Sequence, residues 1–172
     1  MKRSIILVSA TFVVTAACSP KGDASEEKAE SSAASVIPKP NAAPVTAKQF
    51  AELKWIEGYW RGAAPDGPPF HERYVFSDDS TISMYVYPDS TFTAPNDSAR
   101  IILRGGVIRD SGRAASWVAS RVDSTGLDFE PEWGATNTFT WAKDGDSWTA
   151  TIQSGSGASK AVAVYRMRRV NR

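Results

Sequence analysis

His71 is the only histidine in the 172-residue chain, so any imidazole chemistry must use it. A Ser-His-Asp triad would depend on this one residue, and no zinc motif built on histidines can form. His71 precedes Glu72 and Arg73 in a segment with strand character. Alternation sets His71 and Arg73 on one face and Glu72 on the other. The expectation is a histidine at the surface or at the mouth of a barrel. No G-x-S-x-G occurs, and the Ser154-Gly155-Ser156-Gly157 run reads as a flexible loop. Carboxylates pair at Asp78-Asp79, Glu130 with Glu132, and Asp144 with Asp146, all in expected turns. Each pair falls short of the six to eight oxygens that calcium takes. The sequence thus points to no catalytic residue, no metal site and no cofactor.

Aromatic residues form the stronger pattern. Trp60, Tyr74, Tyr85, Tyr87, Trp117, Phe139, Trp141 and Trp148 fall on segments that a β-barrel would bring together, as do Arg73, Arg100, Arg104, Arg121 and Arg166. An arginine facing inward beside aromatics would suit a carboxylate such as a fatty-acid head group. The candidate ligand set is Trp60, Tyr74, Tyr85, Arg104, Trp117 and Trp141. The same residues would also serve simply to fill a barrel of about eight strands.

Cys18 is the only cysteine, which excludes an intramolecular disulfide and a cysteine metal cluster. Lys2 and Arg3 open the chain, and an apolar run follows from Ile5 to Ala17. That run is shorter than the roughly 20 residues a membrane-crossing helix needs, so it fits a secretory signal. Thr15-Ala16-Ala17-Cys18 resembles the bacterial lipobox. The resemblance implies cleavage before Cys18 and acylation of its thiol, with Ser19 favouring the outer membrane over retention at the inner one.

The chain carries twenty basic and nineteen acidic residues. Loss of residues 1–17 removes Lys2 and Arg3 and leaves eighteen against nineteen. A nearly neutral chain without a basic patch has no electrostatic footprint for nucleic acid. From residue 19 to about 45 the sequence is Ser, Ala, Glu, Lys and Pro with almost no large apolar side chain, so ordering it would cost more than burial returns. This segment reads as a tether with an average reach of roughly 25–30 Å. Residues 46–172 hold all six tryptophans and six of the seven phenylalanines. They form the expected folded domain, taken to be monomeric.

Within that domain, Thr46 can cap a short helix carrying Phe50, Leu53 and Ile56. Strand patterns follow at 70–76, 81–87, 100–109, 114–121, 127–130, 135–142, 147–153 and 161–169. Gly105-Gly106 is expected to bend the fourth segment, Asp110-Ser111-Gly112 to form a turn, and Asp144-Gly145 to close a hairpin. Eight or nine strands without intervening helices predict an all-β, antiparallel, up-and-down barrel.

Leu53, Trp55, Ile56, Gly58, Trp60 and Gly62 spell LxWIxGxWxG, a short helix running into a glycine-tryptophan strand. This resembles the opening of calycins, in which a Trp on the first strand plugs one end of a lipocalin-type barrel. More narrowly, the domain is similar to an uncharacterised bacterial family of lipocalin-like domains. A second match runs from Phe129, Pro131 and Glu132 to Trp141 and Asp144-Gly145-Asp146, and the terminal Tyr165-Arg166-Met167-Arg168 fits as well. Where members often carry His-Asp-Phe-Pro, this chain has Trp133, Gly134, Ala135 and Thr136, so roles of that His and Asp do not carry over. The expectation is a non-enzymatic, lipid-anchored envelope protein facing the periplasm, with a small apolar or amphipathic ligand in its barrel. The competing class is a solid barrel acting as a protein-interaction or structural module.

Overall fold

The computed structural model describes residues 44–172 apart from 65, 113 and 156. The expected signal segment, Cys18 and nearly all of the expected tether lie outside the described residues. Thr46 opens a helix, α1 (Ala47–Ala51), through a capping box: its hydroxyl accepts from the Gln49 backbone N–H, and the Gln49 side chain accepts from the Thr46 N–H. A 3₁₀ turn, Glu52–Ile56, continues it. Phe50, Leu53 and Ile56 are fully buried, as their helical spacing predicts.

Ten strands follow: β1 (Gly58–Ala63), β2 (Phe70–Asp78), β3 (Thr81–Tyr87), β4 (Asp97–Arg104), β5 (Val107–Ser111), β6 (Ser116–Asp123), β7 (Gly126–Pro131), β8 (Asn137–Asp144), β9 (Ser147–Ser154) and β10 (Ala161–Val170). Each pairs antiparallel with the next, and β1 also pairs with β10, closing the barrel. Closure leaves no edge strand to template aggregation.

The count exceeds the eight or nine expected, and the cause is local. Gly105 and Gly106 have φ of 59° and 77°. Two consecutive positive φ values make a two-residue hairpin turn, with Arg104 paired to Val107, rather than a bend within one strand. The segment 100–109 is therefore the end of β4 and most of β5. Asp110 and Ser111, expected in a turn, belong to β5, and Glu130, also expected in a turn, lies in β7.

One end of the barrel is plugged by the helix and its 3₁₀ extension. Trp60 Nε1 donates to the Ile56 carbonyl at 2.6 Å, and Arg169 donates to the carbonyls of Trp55 and Glu57 while its guanidinium sits 4.4 Å from the Trp60 ring. These contacts satisfy carbonyls left open where the helix ends. Gly126 at the β6–β7 hairpin meets the β8 backbone so closely that a Cβ there would collide with the Trp141 carbonyl oxygen. Gly126→Ala is expected to cost about 2–3 kcal/mol, read as a lower urea midpoint at unchanged slope.

Candidate functional site

Inward positions follow from strand alternation and burial. Trp148, 1% exposed, lies 5.3–6.1 Å from the rings of Trp141, Tyr74, Trp60 and Trp55. Phe129 stacks on Phe139 at 4.4 Å, and both touch Trp141. Mostly edge-to-face pairs of this kind add stabilisation beyond the area they bury. The helix-plugged half of the barrel is thus filled by its own aromatic side chains.

Burial falls off along the axis. Ile82, Ile101, Ile108, Leu127 and Met167 are essentially inaccessible. Towards the opposite end the inward-facing Phe70, Val86, Ala99, Trp117, Ile152 and Tyr165 remain partly exposed. That end is open.

Of the six residues singled out from the sequence, the structure directs Trp60, Tyr74, Trp117 and Trp141 into the barrel. Three of them join one buried cluster, and Trp117 packs against it at 5.5 Å from Phe139. Tyr85 and Arg104 lie on the outer face, because Met84 and Leu103 beside them occupy the inward positions. The other strand arginines considered also face outward. Arg73 covers the outer ring of Tyr59 at 4.9 Å, Arg121 pairs with Asp123 and Asp128, and Arg100 and Arg166 are exposed. The expected arginine for a fatty-acid head group is absent from these inward positions.

Two carboxyls stand there instead. Glu72 projects inward from β2 and accepts a hydrogen bond from the Tyr74 hydroxyl at 2.7 Å. Asp110 projects inward from β5, is 8% exposed, and has one oxygen, Oδ1, without a hydrogen-bond partner. Burial pushes the Glu72 carboxyl up to about 7, with the Tyr74 hydrogen bond opposing and the Asp110 charge adding. Burial likewise raises Asp110 to about 7, against a hydrogen bond from the Ser111 backbone N–H. Burial thus favours the protonated form of both carboxyls, which can donate a hydrogen bond as well as accept one.

Both acids escaped the sequence reading. Alternation puts Glu72 only on the face opposite His71, and Asp110-Ser111-Gly112 has the composition of a turn. The signal for Asp110 is its two-residue offset from Ile108, which becomes visible once Gly105-Gly106 is recognised as a hairpin.

His71 lies on the outer face of β2, where the loop after β3 folds back over it. Phe92, with φ of 51°, places its ring 4.9–5.5 Å from those of Tyr59, Tyr87 and His71. Desolvation under this cover, followed by the Arg61 charge, lowers the imidazole below its ordinary value, while Asp89 pulls the other way. Phe92→Ala, by letting water in, is expected to shift the His71 titration upward in NMR.

Two depressions of about 330 and 310 Å3 lie on the outer surface, one where the helix meets the β2–β3 hairpin and one over β3–β5, lined in part by Tyr85 and Arg100. Among the described residues, no cluster of three or more His, Cys, Asp or Glu could hold a metal ion.

Fold and site together define a closed ten-stranded up-and-down β-barrel, plugged at one end by a short helix and lined near the other by two carboxyls among aromatic rings. Compared with protein-family models, curated proteins and solved structures, the chain matches none of them.

Proposed function

We propose that this chain is a lipid-anchored, lipocalin-like protein of the bacterial cell envelope, acylated at Cys18, whose barrel holds a small amphipathic molecule at its open end. The observation that carries the reading is the unpartnered oxygen of Asp110, buried beside Trp117 at the end of the barrel that the helix leaves open. Buried polar groups ordinarily find partners. An orphaned acceptor beside aromatic side chains supports a ligand with an apolar body and a polar head. The lipobox-like sequence and the tether support attachment to the outer membrane with the barrel facing the periplasm. The protein acts as a carrier or sensor rather than an enzyme.

Tryptophan-to-Nile red energy transfer in the full chain tests the binding reading, and metabolic palmitate labelling tests the anchor. One saturable Nile red site and a label lost in Cys18→Ser are the expected results. Absence of saturable transfer would favour the second reading, a solid barrel docking an envelope partner. That reading draws on the filled half of the barrel and on Trp133, 65% exposed in the β7–β8 loop.

A further inference from the structure

Glu72 and Asp110 have no positive partner across either strand beside them. On β1 and β3, Glu72 is flanked by Trp60 and Val86; on β4 and β6, Asp110 is flanked by Ile101 and Trp117. Besides Tyr74, whose hydroxyl already donates to Glu72, the inner surface towards this end carries Tyr165 on β10 and Asp97 on β4 opposite Val86, neither of them a cation. Buried acids without a counter-charge cost stability, and nothing in the packing of the barrel requires them.

We propose that the open end of the barrel takes an organic amine carried on an apolar body, with Glu72 and Asp110 as its counter-ions and Trp117 as an aromatic wall. The inference rests on the ligand-binding reading above and names the charge of the ligand's head. An ammonium group supplies both missing features: N–H donors for the free Asp110 oxygen and positive charge for two carboxyls that shed their protons near neutrality. Aromatic faces favour the same charge. A fatty acid would meet like charge. A bare calcium or magnesium ion would find two carboxyls where it takes six or more oxygens.

The test uses the full chain in neutral-lipid nanodiscs, with empty nanodiscs as reference, and three probes sharing one body: 2-phenylethylamine, 2-phenylethanol and 3-phenylpropionate. Calorimetry at pH 7.5 is expected to show the amine binding about tenfold or more tighter than the other two. Binding should weaken as the pH falls below about 7, where Glu72 and Asp110 become protonated. Asp110→Asn and Glu72→Gln, checked for folding by thermal unfolding, should abolish the preference for the amine while leaving the alcohol unchanged. Equal or tighter binding of the alcohol or the carboxylate would overturn the inference and leave the ligand-binding reading standing. So would failure of all three probes while Nile red still binds. Failure of Nile red together with all three would overturn both.

Discussion

Replacing Trp148 with alanine is expected to lower stability by about 3–5 kcal/mol. Trp148 is 1% exposed and its ring contacts Trp55, Trp60, Tyr74 and Trp141, so it joins the plug to the middle of the barrel. Truncation leaves a cavity that ten hydrogen-bonded strands cannot collapse to fill. For a domain whose total stability is on the order of 5–15 kcal/mol, that loss is a large share. Trp148→Phe should cost far less, because the indole Nε1–H is buried without a partner and phenylalanine removes that liability along with some contact area. Thermal unfolding followed by near-ultraviolet circular dichroism separates the two variants. Similar losses from both would show that the indole makes a hydrogen bond whose removal dominates.

Asp110→Asn is expected to do the opposite, and to do so only at higher pH. Taking the carboxyl from its ordinary 3.8 to about 7 means that between those values the folded chain holds a proton the unfolded chain has released. Stability therefore falls as pH rises through that window, and the full penalty, about 2–4 kcal/mol, is present above pH 7. Glu72 acts in the same sense. His71, held low, acts in the opposite sense just below its ordinary value, while Asp78, Asp89, Asp123 and Asp128, also held low, contribute only below about pH 4. The difference between wild type and Asp110→Asn isolates the one group. Urea unfolding should show the variant more stable by about that amount at pH 8 and nearly equal to wild type at pH 4. A gap that stays constant with pH would mean that Asp110 ionises freely in the folded barrel.

Strand alternation made the barrel legible, and turn chemistry hid part of it. Ile82, Met84 and Val86 mark the inner face of β3, and the spacing of Phe50, Leu53 and Ile56 marks the plug, because in both cases the burial period matches the backbone period. Gly105-Gly106 is ambiguous in sequence: glycine serves both bulges and tight turns, and the choice depends on whether the flanking halves pair with each other. A bend there would merge β4 with β5 and take Asp110 out of the interior. Tyr85 and Arg104 were misleading for a different reason. A single aromatic or arginine on a strand does not reveal which face is inward until its neighbours' partners are known, and here Met84 and Leu103 take the inside. Glu72 is the converse case, a charged residue in the position that tertiary closure buries.

The most direct test of a ligand at the open end is Nile red binding by the wild-type chain beside Ala99→Trp. Ala99 faces inward from β4, two residues before Ile101 and partly exposed, so an indole there would take up space on the inner surface beside Met84. The expected result is one saturable Nile red site in wild type and none in a variant that unfolds at a similar temperature. No saturable site in wild type, or an undiminished one in Ala99→Trp, would contradict it.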